Sequence, residues 1–230
     1  MPPPSRPPAT TVAWPKIPAP RRPLQVCPLA GAPGIAVIDD FLSRETAAQF
    51  VRFLASDAVA WTGPRAPNRG EATRTNARFQ VDDAAFARRL YVDSGLERAL
   101  TTTAGDVLPL DARNGKRPVG LNSNIRCYKY DKGSFFGPHY DDDVYDPETG
   151  ATSEWTLLVY LSGRDTGVKG GETAFYPNPT RKGGNGPAVV PDLVAGRALL
   201  HRHGRLCSLH EGRTVEEGTK WVLRSDVMFK

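Results

Sequence analysis

Apolar side chains in the first half of the chain recur with the period of an amphipathic helix. They occupy positions i, i+3, i+4 and i+7 from Ala47 to Leu54, just after Ser43, a residue type that often caps a helix N-terminus. This spacing predicts a helix over about residues 44–56. The same reasoning predicts a short buried strand at residues 34–38 and two more helices at about residues 83–91 and 95–104.

From Val119 onward the period of the apolar pattern changes to two. Short alternating runs are separated by clusters of Gly, Pro, Asn and Asp, which is typical of strands joined by turns. Several short strands after a helical part predict an α+β fold, a double-stranded β-helix (jelly-roll) core with supporting N-terminal helices. The candidate strands are residues 122–130, 136–141, 154–161, 172–176, 187–190, 197–203, 206–210 and 219–229.

Composition divides the chain near its start. Residues 1–33 contain 11 of the 21 prolines, four basic residues and no acidic residue, a composition typical of disordered or polyproline II segments. We therefore predict a disordered Pro/Arg-rich tail at residues 1–33 and one domain at residues 34–230, with helical support at 34–118 and the jelly-roll core at 119–230. The tail is either a ligand for a proline-recognition domain or a solvated or cleaved leader.

The net charge of +5 does not indicate a nucleic-acid-binding protein, because residues 34–230 carry 26 basic and 25 acidic residues. Cys27, Cys127 and Cys207 are widely separated, which argues against a disulfide framework or a zinc site. The sequence shows neither an apolar run of about 18–20 residues nor the apolar region of a secretory signal. We expect an intracellular, cytoplasmic protein whose partners include neither nucleic acid nor membrane, with organelle targeting by the tail left open.

Candidate chemistry begins with the four histidines, His139, His201, His203 and His210. His139 is followed two residues later by Asp141, so in an extended segment both side chains point to the same side. A second histidine from a distant strand would complete a 2-His-1-carboxylate set, which suits Fe(II) in an oxygenase.

The last predicted strand carries two basic residues on one of its two faces. Lys220, Val222 and Arg224 fall on one face, whereas Trp221 and Leu223 fall on the other. A lysine that faces the interior of a jelly roll is costly unless an acid pairs with it. The carboxylate of a bound small molecule would supply that acid.

These motifs resemble those of the 2-oxoglutarate- and Fe(II)-dependent dioxygenases, most closely the prolyl-4-hydroxylase-like branch. That branch has an HxD motif, then a distal histidine and a basic residue ten positions later, as His139, Asp141, His210 and Lys220 stand here. Its cosubstrate-binding tyrosine lies about nine residues before the first histidine, where this chain has Tyr130.

The resemblance covers roughly residues 34–230, and residues 170–175 look like the GG-x-T-x-F strand of the branch. It implies Fe(II), 2-oxoglutarate and O2, with ascorbate as a further candidate. It also implies an enzyme that hydroxylates an unactivated C–H bond of a small-molecule or peptidyl substrate, a prolyl residue or an amino-acid-like molecule among them, releasing succinate and CO2. The alternatives are a nucleic-acid demethylase and a non-catalytic, cupin-like metal-binding module.

The resemblance implies that His139, Asp141 and His210 are the catalytic metal ligands. It also implies that Lys220 and Tyr130 bind the C5 carboxylate of 2-oxoglutarate.

Other residues are alternatives for these roles. As a metal ligand, Asp143 is an alternative to Asp141, and His201 and His203 are alternatives to His210. For the cosubstrate, Arg224 competes with Lys220, since positions i and i+4 of a strand are about 13 Å apart and cannot both hold one carboxylate. Arg126 and Tyr128 share a strand face with Tyr130 and are further candidates for binding the cosubstrate or an anionic substrate.

The sequence allows two interpretations for each of two charged segments. Four arginines in the loop at residues 62–80 form either a substrate lid or a solvated loop. The acidic run from Asp141 to Asp146 either faces a cationic substrate or belongs to the rim of the site.

Overall fold

Antiparallel strands build most of the molecule, for which a computed structural model describes residues 12–103, 115–177 and 187–230. Among these residues the helices are α1 (Arg44–Leu54), α2 (Ala84–Val92) and α3 (Leu96–Thr103). The strands are β1 (Cys27–Pro28), β2 (Ile35–Ile38), β3 (Ala77–Asp82), β4 (Pro118–Leu121), β5 (Asn124–Tyr130), β6 (Phe136–His139), β7 (Tyr145–Asp146), β8 (Ala151–Tyr160), β9 (Lys169–Gly170), β10 (Thr173–Tyr176), β11 (Ala198–Arg202), β12 (Leu209–Gly212), β13 (Val215–Glu217) and β14 (Lys220–Phe229).

Two antiparallel sheets and a short ribbon form the predicted jelly-roll core. The described strands of the large sheet follow the order β1-β2-β11-β8-β14-β5-β3, with β4 beside β14 and β7 beside β8. The small sheet has the order β10-β12-β6, and β13 pairs with β9. Because side chains alternate between the faces of a strand, one face of the large sheet meets the helices and the other meets the interior of the jelly roll.

The helices begin where the sequence places capping side chains. Ser43 Oγ accepts a hydrogen bond from the backbone amide of Thr46 at 3.1 Å, and Asp83 Oδ1 accepts one from Phe86 at 2.8 Å. These bonds satisfy amide groups that have no partner within the helix. The buried faces of the helices then pack against the large sheet, so the helical part supports the core as predicted.

The prediction of disorder fails for residues 12–33. Trp14, Ile17, Leu24 and Val26 are buried in the core shared by the helices and the large sheet. The Trp14 ring stacks on Phe86 with centroids 4.1 Å apart, and its Nε1 donates to Asp83 Oδ2 at 2.9 Å. Composition misled here because four dispersed apolar residues bury enough surface to hold a proline-rich segment, whereas residues 1–11 lie outside the described part.

Most other predicted elements agree with the structure within a few residues. The predicted loop at residues 62–80 differs, since its last residues enter strand β3, which pairs with β5. The predicted strand at residues 187–190 is reduced to one bridge, between Phe175 and Val189. Residue 104, at the end of the third predicted helix, lies outside the described residues. None of the described helices is long and apolar enough to span a membrane.

Candidate metal and cosubstrate site

The small sheet brings together the two histidines of the resemblance. His139 at the end of β6 and His210 in β12 are directly opposite each other, with ring centroids 4.2 Å apart. Asp141 follows β6, and its carboxylate oxygens lie 3.7 Å from Nε2 of each ring. Donor atoms of the three side chains all lie within 4.8 Å of one another. The structure therefore groups the three predicted ligands.

Backbone carbonyls fix how the two rings present their nitrogen atoms. His139 Nδ1 lies 2.8 Å from the carbonyl oxygen of Gly137, and His210 Nδ1 lies 3.0 Å from that of Ser208. A neutral imidazole that donates from Nδ1 has its lone pair on Nε2, which is the atom turned toward Asp141. Metal-binding histidines usually make such a second hydrogen bond, because it sets the tautomer and the ring orientation.

Asp141 is ionised and held on both oxygen atoms. Arg224 Nη1 donates to Oδ1 at 3.0 Å, and Thr156 Oγ1 donates to Oδ2 at 2.9 Å. Burial alone would raise the pKa of the carboxyl, but the Arg224 guanidinium and the nearby imidazoles lower it well below its usual range. A metal would thus meet a carboxylate, not a carboxylic acid.

Burial favours the neutral form of His139 and His210. Burial, followed by the proximity of His210, lowers the pKa of His139 to about 4, and burial also lowers the pKa of His210. A neutral imidazole is the form that binds a metal, since a protonated ring has no free lone pair.

Two imidazoles and one carboxylate fit Fe(II), which favours nitrogen and oxygen donors in this combination. The protonation states and orientations also fit, because the Nε2 lone pairs of the two neutral rings and the Asp141 carboxylate face the same space. His139, Asp141 and His210 are therefore the residues that could hold the metal.

Lys220 lines the same cavity as the three candidate metal ligands. It begins β14 and is only 3% exposed, and its Nζ donates to the carbonyl oxygen of Gly171 at 2.6 Å. The ammonium also lies 5.0 Å from the ring centroid of Tyr130. Within the described residues no carboxylate lies within 4 Å of Nζ, and burial lowers the pKa of Lys220 to about 8. A buried ammonium without an acid partner is suited to receive a carboxylate from a ligand.

The other predicted cosubstrate residues separate into two groups. Tyr128, Tyr130 and Arg224 line the cavity, as does Lys220. Arg126 is not among the described lining residues and instead pairs with Asp226 Oδ2 at 3.4 Å.

Arg224 is occupied by protein acids, unlike Lys220. Besides Asp141, it contacts Asp226 Oδ1 at 3.4 Å. Burial opposes its charge, but these two carboxylates raise the pKa of the guanidinium above its ordinary value. Arg224 thus holds the carboxylate of a candidate metal ligand, and this observation favours Lys220 for the cosubstrate.

Of two residues beside Asp141, sequence reasoning missed Thr156 and offered His203 only as an alternative metal ligand. Thr156 was not singled out, although its place opposite Asp226 and His201 in the large sheet turns its hydroxyl inward. His203 contacts the same hydroxyl, with Nδ1 at 3.1 Å. A signal existed for Thr156, since residues 154–161 alternate, but alternation does not say which inward residue meets which ligand.

Comparison with known proteins agrees with this geometry. Residues 124–225 match the model of a family described as the 2OG-Fe(II) oxygenase superfamily. Comparison with curated protein sequences gives no significant match.

Solved structures share the fold at low sequence identity. A prolyl hydroxylase from Trichoplax adhaerens, in complex with a hypoxia-inducible-factor peptide fragment, is 19% identical with a TM-score of 0.57, covering 84% of this chain and 83% of its own. A Pseudomonas putida prolyl-4-hydroxylase is 16% identical with a TM-score of 0.52, covering 84% and 91%. A viral collagen prolyl hydroxylase from Paramecium Bursaria Chlorella virus-1, bound to 2OG, is 15% identical with a TM-score of 0.50, covering 85% and 96%.

The matched residues contain all three candidate metal ligands as well as Lys220 and Tyr130. Residues 124–225 therefore match the 2OG-Fe(II) oxygenase superfamily, and the chain is a 2-oxoglutarate-dependent dioxygenase.

Proposed function

We propose that this enzyme hydroxylates an unactivated C–H bond of a peptide-borne substrate, with a prolyl residue as the first candidate, and that His139, Asp141 and His210 hold its Fe(II). The observation that carries the assignment of roles is the placement of a buried ammonium, Lys220, in the same cavity as the two imidazoles and the carboxylate. When bound, Fe(II) with 2-oxoglutarate and O2 supplies the oxidation, which yields succinate, CO2 and the hydroxylated product.

Lys220 binds the C5 carboxylate of 2-oxoglutarate in this proposal. The ligand would give the buried ammonium a carboxylate partner, and the pair would form at a buried position, where charge-assisted hydrogen bonds are strong. Tyr130 lies opposite Lys220 in the sheet and is buried, so it forms the wall of this end of the cavity.

The segment after Asp141 supports a peptide as the substrate. Tyr140, Val144 and Tyr145 are 56%, 41% and 62% exposed, an unusual concentration of apolar side chains at the surface beside a buried site. Exposed aromatic rings suit proline, whose rigid ring loses little entropy on binding. Asp142 and Asp143 are exposed in the same segment, which favours basic residues near the proline.

The similar structures are the reason for testing proline first. Each of the three neighbours described above is a prolyl hydroxylase, and one was solved with a peptide fragment. Because identity is below 20%, the likeness extends to the fold.

The test is aerobic incubation with Fe(II), 2-oxoglutarate and proline-containing peptides flanked by Lys or Arg. We expect succinate release together with a product heavier by one oxygen atom, and neither with a matched peptide in which Ala replaces Pro. The variant His139→Ala is the inactive control. Succinate without a heavier prolyl peptide would reject proline as the substrate.

A separate measurement tests the assignment of the cavity. Under anaerobic conditions, adding 2-oxoglutarate to the Fe(II)-loaded protein should produce a weak visible charge-transfer band, because that band requires chelation of the metal. The band should be absent in His139→Ala and should need more 2-oxoglutarate in Lys220→Met. An unchanged band in both variants would show that these residues do not form the site.

A further inference from the structure

Two arginines from the predicted loop at residues 62–80 lie beside the cavity. Arg78 in β3 is directly opposite Tyr128 of β5, and Arg74 forms a bridge with Phe136 of β6. Tyr128 and Phe136 both line the cavity. Because residues directly opposite each other in an antiparallel pair have side chains on the same face, both arginines lie on the cavity face.

Neither arginine is paired with an acid in the described part of the chain. Arg74 and Arg78 have no carboxylate within 4 Å there, although Asp141 and Glu211 both line the cavity. The Arg78 guanidinium donates to the neutral side chain of Gln80, and its Nε is buried without a described hydrogen-bond partner. Since a buried donor without a partner is costly, a group that accepts from it is expected when the site is in use.

The other guanidinium groups on this face are already paired. Arg126 and Arg224 lie opposite each other, and they contact Asp226 at 3.4 Å and Asp141 at 3.0 Å respectively. Burial lowers the pKa of Arg78, and the neighbouring guanidinium groups lower it further. Bound Fe(II) and 2-oxoglutarate carry opposite charges of equal size, so they leave this surplus of positive charge unchanged.

We propose that Arg74 and Arg78 bind a carboxylate of the substrate, so that the enzyme selects peptides with an acidic group near the hydroxylated residue. This inference deepens the proposed function, because it names a second group that is recognised on the same peptide. A guanidinium binds a carboxylate through two parallel N–H···O bonds, which adds orientation as well as affinity. The carboxylate belongs either to an acidic side chain or to the C-terminus of the peptide.

The arginines and the acidic segment meet β6 at different ends. The amide of Thr75, next to Arg74, donates to the carbonyl oxygen of Phe135 at 3.0 Å, just before the strand begins. Asp142 and Asp143 follow the end of the strand. A peptide with an acidic group on one side of the proline and basic residues on the other would match both regions, which gives the substrate one direction of binding.

The experiment measures binding of fluorescent proline peptides to anaerobic protein loaded with Fe(II) and 2-oxoglutarate. One Glu is moved through the positions on either side of the proline, and each peptide is compared with its Gln counterpart. A free C-terminus is compared with an amidated one to test the other source of the carboxylate. We expect one of these carboxylates to strengthen binding at least about tenfold, as fluorescence anisotropy would show.

The gain should be lost in Arg78→Gln and reduced in Arg74→Gln. It should be kept in Arg69→Gln, because that arginine is exposed in the same loop. Arg78→Glu should reverse the preference, so that Lys binds better than Glu at the same peptide position. The affinity for 2-oxoglutarate should be unchanged in Arg78→Gln, and a fall would overturn the inference by assigning the arginine to the cosubstrate.

The absence of a gain from any carboxylate in the wild type would also overturn the inference, as would a gain that both Gln variants retain. If Arg78→Gln does not fold, the comparison of the wild type with Arg74→Gln decides. Aerobic incubation of the same peptides tests the proposed function separately. A preference for the carboxylate without hydroxylation of any prolyl peptide would reject proline but retain the anion site, whereas hydroxylation without the preference would do the opposite.

Discussion

The two faces of strand β14 differ in what burial does to them. Trp221 and Leu223 point toward the helices and lie in a core of apolar side chains, whereas Lys220 and Arg224 point into the cavity and are equally buried. Burial stabilises the first face because apolar surface leaves water. On the second face burial opposes charge, so the protein has to provide counterions or keep room for a ligand.

On the cavity face of β14, one buried cation has counterions from the protein and the other has space for a ligand beside it. Arg224 is compensated by Asp141 and Asp226, and its charge is part of the folded structure. Lys220 has a backbone carbonyl and two aromatic rings but no described carboxylate within 4 Å, and burial lowers its pKa to about 8. The comparison therefore separates Arg224, whose charge is paired within the protein, from Lys220, which we propose binds the cosubstrate.

The largest effect on stability should come from the apolar face. Leu223 is fully buried between Cys127 and Val159 of the neighbouring strands, so Leu223→Ala should lower the free energy of unfolding by about 2–5 kcal/mol. Urea denaturation measures the loss. Binding of 2-oxoglutarate at a temperature where the variant is folded should be unchanged, and a weaker binding would mean that the two faces are not independent.

Lys220→Met should show the converse result. Removing one partner of a buried charge pair costs about 2–5 kcal/mol, so the affinity for 2-oxoglutarate should fall at least about thirtyfold. The unfolding free energy of the ligand-free protein should not fall at pH 7, because an unpaired buried charge has been removed. Isothermal calorimetry and urea denaturation give the two values.

Lys129→Met is the control for this variant, since Lys129 lies on the neighbouring strand and pairs with Asp131 outside the cavity. Equal loss of 2-oxoglutarate binding in both variants would show that the effect is one of general charge. A large loss of stability in Lys220→Met alone would show that the lysine is part of the structural core.

Binding of 2-oxoglutarate should weaken as the pH rises above about 8. Lys220 in the ligand-free protein loses its proton near that value, and the C5 carboxylate needs the charged form, so binding above it requires proton uptake. The affinity should fall by up to about tenfold per pH unit. In ligand-free protein the sign is opposite, because between pH 8 and 10.5 the unfolded chain binds more protons and stability rises with pH.

Lys220→Arg tests this pH dependence, since a guanidinium stays charged above pH 9. Its 2-oxoglutarate affinity should be nearly constant from pH 7 to pH 9.5. A decline parallel to that of the wild type would assign the titration to another group.

The smallest effect should come from Thr156, which holds Asp141 from the cavity face of β8. Thr156→Val removes the hydroxyl at nearly constant volume, and loss of such a supporting hydrogen bond should weaken metal binding by about tenfold. Thr152→Val on the same strand is the control. Co(II) titration measures both, and an unchanged constant in Thr156→Val would mean that Arg224 alone orients the carboxylate.

The elements were predictable where one periodicity dominated. Helix α1 falls close to its predicted bounds because burial on one face imposes a repeat that the sequence displays. The segment at residues 12–33 was not predictable in this way, since its prolines fit no repeat. Its place depends on Trp14 reaching Phe86, about 70 residues away.

The grouping of the candidate site residues was predictable where these residues follow a motif. His139, Asp141, His210 and Lys220 are brought together as the resemblance implies. His201 carried no such signal, because a histidine within a strand shows only its face, and its nearness to Asp141 depends on how the two sheets pack. The same holds for Arg224, whose pairing with Asp141 spans 83 residues.

The sequence by itself determined the alternation of strands, the caps of the helices and the spacing of the motif residues, since these depend on neighbours along the chain. Only the tertiary structure decided that Arg224 holds a carboxylate, that Lys220 has no described carboxylate within 4 Å and that His201 lies beside Asp141. The physical reason is that charge and hydrogen-bond partners inside a jelly roll come from strands distant in sequence. Their distances are therefore set by the packing of the two sheets.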